Sequence, residues 1–214
     1  MQNKFKYLKQ IPKDPTGETK VIIMLHWLWS NSEDLFSLSF YFEDCYVFSL
    51  DGLFDLLFDS YAWYNLSVID NKHIYDFNEV KRWYDYIVEF IKYLKNEYNL
   101  NSDNIYLFWF SQWAMMSYYL LWKSPELISG VIWLSGSLLK EINELEIKKE
   151  SYKNKKIFIW HGKLDTIIWV EQVWDLQKYA SRLWIEPEIR IYDNMPHAII
   201  EEEISDIKKF LKNN

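Results

Sequence analysis

Short, uninterrupted apolar runs alternate along this chain with longer stretches in which apolar residues recur every three or four positions. Val21-Ile22-Ile23-Met24-Leu25, ending at His26, reads as a strand buried on both faces. Tyr46–Leu50, Ile105–Phe108, Gly130–Leu134, Ile157–Trp160 and Glu188–Tyr192 read as further strands. Val80, Trp83, Tyr84, Ile87, Ile91 and Leu94 form one stripe of an amphipathic helix over 79–98, and Asp76 and Glu79 have the spacing of a capping box. A second helix follows Ser111 and stops near Ser124-Pro125, and a third spans about 171–183. A C-terminal helix carries Glu201, Glu202 and Glu203 in its first turn and Lys208, Lys209 and Lys212 in its last, matching the helix dipole at both ends. Strands alternating with helices predict an α/β fold, a mostly parallel central sheet with helices on both faces. With no internal repeat and no Pro/Gly-rich linker, the chain is expected to form one domain over 1–214.

Ligands of such sheets bind beyond the carboxyl ends of the strands. Three chemically capable residues fall there. Ser111, in Trp109-Phe110-Ser111-Gln112-Trp113, lies between a strand and a helix, where a nucleophile elbow holds its serine. Asp165 follows the strand Ile157–Trp160 in His161-Gly162-Lys163-Leu164-Asp165, and His197 follows the last strand in Met195-Pro196-His197. The order Ser, Asp, His is that of α/β-hydrolases. In such a triad His197 takes the serine proton and Asp165 fixes the tautomer of the imidazole. Ser135, after another strand, and Asp175 and Asp193 are rival positions. Asp193 is close to His197 in sequence and Asp175 falls within a helix, which leaves Asp165 as the better acid. His26 and His161 end strands and read as structural, hydrogen-bonding loop backbone, His73 reads as a loop residue, and Met115-Met116 with Tyr118-Tyr119 reads as core.

The chain resembles the phospholipase/carboxylesterase family of α/β-hydrolases, which includes the acyl-protein thioesterases. Leu25-His26-Trp27-Leu28-Trp29-Ser30 resembles that family's L-H-G-L-G-[DS], and Phe110-Ser111-Gln112-Trp113-Ala114 its F-S-Q-G-[AG]. Leu134-Ser135-Gly136, His161-Gly162 with Asp165, and Met195-Pro196-His197 resemble its L-S-G, H-G-x-x-D and M-[GP]-H. The resemblance implies backbone N–H groups of Leu28 and Gln112 as an oxyanion hole. It also implies a pocket with Trp63 as its tryptophan, neighboured by Leu53 and Phe54 and flanked by Trp27 and Trp113. The implied activity is hydrolysis of short- to medium-chain carboxylic esters, thioesters or lysolipids through an acyl-enzyme, with no metal and no cofactor. The connection between the strands ending at 134 and starting at 156 is too short for a large cap domain, so an open site is expected.

A formal charge of −7 without clustered Lys or Arg argues against a nucleic-acid partner. No run of apolar residues is long enough for stable membrane insertion, and the start of the chain does not resemble a secretion signal. Cys45 is the only cysteine, so no internal disulfide can form. A cytoplasmic monomer or small homo-oligomer, such as a homodimer, acting on a small-molecule ester is the expectation.

One imbalance changes the picture. The chain has 12 Trp and only 5 Gly, although a turn-rich α/β domain needs glycine wherever the backbone turns left-handed. Trp27, Trp29, Trp109 and Trp113 stand where the family has glycine, and Trp184 follows a helix end where a capping glycine is expected. Trp83, Trp133, Trp160 and Trp169 are weaker cases of the same kind. Such replacements should overpack the elbow, which leaves a catalytically impaired hydrolase-fold binding protein as the alternative to an esterase. They read as UGA codons translated as tryptophan that the source organism reads as glycine.

Overall fold

The computed structural model describes residues 4–27, 29–63, 66–69, 72–111, 115–138 and 149–214. Its centre is a seven-stranded sheet. The strands are β1 (Tyr7–Gln10), β2 (Val21–Leu25), β3 (Tyr46–Leu50), β8 (Ile105–Phe110), β9 (Gly130–Leu134), β10 (Lys156–Gly162) and β11 (Glu188–Tyr192). They lie in the order β1-β3-β2-β8-β9-β10-β11. Only the edge strand β1 runs antiparallel, Tyr7 facing Leu50 and Gln10 facing Val47; every other pairing is parallel. Two small hairpins stand apart from the sheet, β4 (Phe54–Asp55) with β5 (Tyr61–Ala62) and β6 (Leu66–Ile69) with β7 (Lys72–Tyr75). His73 therefore lies in a strand, not in the loop its sequence suggests.

The uninterrupted apolar runs are explained by two-sided burial. Val21, Ile23 and Leu25 pack into one core, whereas Ile22 and Met24 pack into the other. The first core is closed by α2 (Phe77–Tyr98), α3 (Met115–Lys123) and α4 (Gln172–Arg182), through residues such as Val80, Ile87, Tyr118 and Val173. The second is closed by α1 (Ser32–Phe36), the 3₁₀ turn Ser39–Phe42 and α5 (Glu201–Asn213), through Leu35, Phe42, Ile204, Ile207 and Phe210. Helices thus cover both faces, and no large cap is evident among the described residues. No helix of the described residues is long and apolar enough to cross a membrane.

Helix α2 begins two residues before the 79–98 stripe, with Asp76 as its N-cap. The Asp76 carboxylate accepts from the Asn78 N–H at 2.8 Å, satisfying one of the donors a helix start leaves free. At α5 the acidic first turn is less uniform than its sequence implies. Glu201 and Glu202 are exposed, but Glu203 is fully buried, and burial pushes its carboxyl up to about 8. It is therefore mostly neutral near pH 7 and adds little to the dipole pairing.

Candidate active site

Because β8, β10 and β11 are parallel, the residues that follow them emerge on one edge of the sheet. Ser111 follows β8, Asp165 lies three residues beyond β10, and His197 lies five beyond β11. Ser111 has φ 71°, a left-handed backbone that a serine adopts at a cost of about 1–3 kcal/mol unless its surroundings impose it. Its Oγ lies 2.9 Å from His197 Nε2. His197 Nδ1 lies 2.7 Å from Asp165 Oδ2. An ionised carboxylate can only accept, so His197 carries its proton on Nδ1 and Nε2 is left to accept from the serine hydroxyl.

The two loops that meet here are tied together by backbone. Lys163 N–H donates to Tyr192 O at 2.9 Å and Leu164 N–H to Met195 O at 3.1 Å. This approach is possible because residue 162 is glycine, as a Cβ there would sit 2.0 Å from Met195 O. The other Asp165 oxygen, Oδ1, accepts from the N–H groups of Ile167 and Ile168, both at 2.9 Å. The Asp165 side chain is fully buried, whereas His197 keeps 17% of its side chain exposed. Buffered by protein on one side and open on the other, the pair suits a proton acceptor that a substrate and water can reach. Phe110 packs its ring on His197, 4.8 Å between centroids, and Trp27 meets Phe110 edge-on at 5.6 Å.

The structure therefore brings together Ser111, Asp165 and His197, and leaves their rivals elsewhere. Asp193 is exposed and pairs with Lys163 at 3.1 Å, and Asp175 lies 3.9 Å from Lys178 on the exposed side of α4. Ser135 is buried with φ 48°, and its hydroxyl has no hydrogen-bond partner among the described residues. Cys45 is half-buried, and burial raises its thiol to about 11, which makes it a poor nucleophile. Leu28, Gln112 and Trp113 lie outside the described residues. Trp63 is fully buried, its indole N–H donating to His26 O at 2.8 Å, so it packs beneath the site rather than facing open space. Leu53 packs against the same core, and Phe54 sits 5.3 Å from the Arg82 guanidinium. His26 is structural: its Nδ1 lies 2.7 Å from Trp27 O and its Nε2 accepts from the Gly52 N–H at 2.9 Å. Burial holds its pKa below the usual histidine value, as the neutral ring in those two bonds requires. The structural role that the sequence assigns to His26, bonding loop backbone, is the one it has; its partners, Trp27 O and the Gly52 N–H, are not readable from the chain.

Among the described residues no three His, Cys, Asp or Glu side chains cluster as a metal site. A cleft of about 910 Å³, lined by residues such as Lys20, Cys45 and Lys208, adjoins the starts of β2 and β3. It lies at the amino ends of the strands, away from Ser111, and contains none of the groups above.

Residues 9–214 match the sequence model of the phospholipase/carboxylesterase family. Acyl-protein thioesterase 1 of Candida albicans is 27% identical over 225 residues, covering 95% of this chain and 96% of that protein. Among solved structures, the Bacillus cereus carboxylesterase superposes with a TM-score of 0.82 at 19% identity, covering 99% of this chain and 95% of that one. Zea mays acyl-protein thioesterase 2 superposes with a TM-score of 0.75 at 16% identity, covering 97% and 98%. At such identities the superpositions establish the α/β-hydrolase fold.

Proposed function

We propose, from the premise that this chain belongs to the phospholipase/carboxylesterase family, that it is a serine carboxylesterase acting on short- to medium-chain esters. The observation that carries the reading is the unbroken line Ser111 Oγ, His197 Nε2, His197 Nδ1, Asp165 Oδ2, with contacts of 2.9 and 2.7 Å. In this reading His197 removes the Ser111 proton as the oxygen attacks the ester carbonyl, and Asp165 stabilises the imidazolium that forms. The N–H groups of Gln112 and Leu28, by family resemblance, receive the oxyanion. Collapse of the intermediate expels the alcohol with the proton from His197, and water activated by the same ring then releases the acid. The short connection between 134 and 156, with no large cap among the described residues, supports an open site with modest acyl selectivity.

A fluorophosphonate probe tests the nucleophile. It should label the wild-type chain at Ser111 and leave Ser111→Ala unlabelled; a folded, unlabelled wild type defeats the reading. Acyl-thioester hydrolysis with the same triad is the second reading, favoured by the thioesterase named among the relatives. Comparing kcat/KM for p-nitrophenyl butyrate, an acyl thioester and a lysolipid separates the two.

The reading includes a second proposition, that several tryptophans occupy positions the source organism fills with glycine. Trp29 and Trp184 have φ of 61° and 57°, in the region that favours glycine. Trp184 N–H donates to Ser181 O and Ile185 N–H to Ala180 O, both at 3.0 Å. That is the paired C-terminal cap of α4, with tryptophan at the position glycine usually holds. Trp83, Trp109, Trp133 and Trp160 are fully buried, and their indole N–H groups have no partner among the described residues, unlike that of Trp63. Each orphaned donor costs about 1–3 kcal/mol. Intact mass of the protein from its own host decides the matter, because a mass that fits tryptophan at 27, 29, 109, 113 and 184 defeats recoding.

A further inference from the structure

Asp165 is held between two imidazoles. His197 Nδ1 lies 2.7 Å from Oδ2, and His161 Nε2 lies 3.4 Å from the same oxygen. His161 is the penultimate residue of β10 and is fully buried. Its Nε2 also lies 2.7 Å from Ile168 O. A carbonyl can only accept, so the ring proton is on Nε2 and the Nδ1 lone pair is bare, with no partner among the described residues. Burial, the largest influence, holds the ring below the usual histidine pKa; the bond to Ile168 O, Asp165 and Glu171 pull the other way, and His197 adds to the lowering.

These bonds form a chain that passes through the carboxylate. His161 Nε2–H reaches Ile168 O, Ile168 N–H reaches Asp165 Oδ1, and Asp165 Oδ2 receives His197. The loop from 162 to 168 is thus fastened back onto the strand it leaves, and the fastening residue touches the acid it aims. Neutrality matters here. A cationic ring at 3.4 Å would compete with His197 for the carboxylate charge, whereas a neutral ring, its single N–H given to Ile168 O, leaves that charge to His197.

We propose that His161 is a positioning residue for the acid of the triad: it locks the 162–168 loop and thereby sets the geometry of the Asp165–His197 hydrogen bond. The inference rests on the triad reading above. A residue that merely filled space would affect stability and nothing else.

The test compares His161→Leu, which cannot donate to Ile168 O, with His161→Gln, whose side-chain N–H can reach it. The first readout needs no turnover: the far-downfield proton resonance of His197 Nδ1–H against Asp165. It should be present in the wild type, shifted or lost in His161→Leu and restored in His161→Gln. Hydrolysis of p-nitrophenyl butyrate should follow, kcat falling about 10- to 100-fold in His161→Leu at nearly constant KM and recovering in His161→Gln. If His161→Leu does not fold, His161→Asn, whose shorter amide falls short of Ile168 O, takes its place beside His161→Gln. A folded His161→Leu or His161→Asn with the wild-type resonance and kcat overturns the proposal, as does a His161→Gln no better than either. A wild type without the downfield resonance defeats the triad itself, a separate outcome.

Discussion

At Asp165 both carboxylate oxygens are engaged, Oδ1 by two backbone N–H groups and Oδ2 by His197. Asp165→Asn keeps the size of the side chain but places an amide N–H donor against Nδ1. The imidazole proton then moves to Nε2, which can no longer accept from Ser111. The expected outcome is a fall in kcat of roughly ten-thousand-fold with KM little changed, measured by ester hydrolysis. The positions of Ser111, Asp165 and His197 were legible in the sequence because Ser111 directly follows a strand with a continuous apolar run, and Asp165 and His197 come three and five residues after two more strands. For His161 a bond to loop backbone was legible, but its partner was not, since Ile168 O lies in a loop with no periodicity. Glu203 was misread for a related reason: an acidic residue in a first helical turn looks like a surface charge until its burial is seen. Its carboxyl, at about 8 in the fold against an ordinary value of 4.5, holds a proton in the native chain that the unfolded chain loses. Stability should therefore fall as pH rises from about 4.5 to 8 and level off above that. In Glu203→Gln this loss should be absent, so denaturant unfolding should find the variant more stable than wild type at pH 8 and equal to it at pH 4.

Elements with a strong period or a clear cap were readable, and the short irregular ones were not. Asp76 marks the start of α2, and its replacement by alanine should cost about 0.5–2 kcal/mol in denaturant unfolding. The β4–β5 hairpin gave no signal. Its strands have two residues each, and its turn places Phe58 and Asp59 at φ 60° and 53° without glycine or asparagine. Phe58 shows that positive φ alone marks strain, not recoding; Trp184 adds the cap hydrogen bonds that define a glycine site. Asn99, which ends α2 at φ 52°, is the contrast, a residue type that tolerates this backbone. Trp184→Gly should therefore stabilise the chain by about 1–3 kcal/mol, the strain released at one left-handed position. An unfolding midpoint at or below wild type would mean that the indole, which lies 4.9 Å from the Lys149 ammonium, contributes more than the backbone loses.

At the scale of the whole molecule, the alternation of Val21, Ile23 and Leu25 into one core with Ile22 and Met24 into the other follows from a parallel sheet covered on both faces. That much was written in the hydrophobic pattern. The strand order was not, because it is set by how each crossover packs rather than by local residue types. The buried tryptophans are where the two levels disagree. Trp109 sits in the central strand β8 with zero exposure, between Trp63 at 5.8 Å and Trp83 at 5.4 Å, and its N–H has no partner among the described residues. If tryptophan belongs there, Trp109→Gly empties a large site in the core and should cost at least the 3–5 kcal/mol typical of Trp→Ala truncations. If glycine belongs there, the same change relieves overpacking two residues before Ser111 and should raise both the unfolding midpoint and kcat/KM. The recoding proposition expects the second sign, and expects it to grow when Trp27, Trp29 and Trp113 are changed to glycine alongside Trp109. A combined variant that unfolds more easily and hydrolyses esters no faster would mean that this core was built around its indoles.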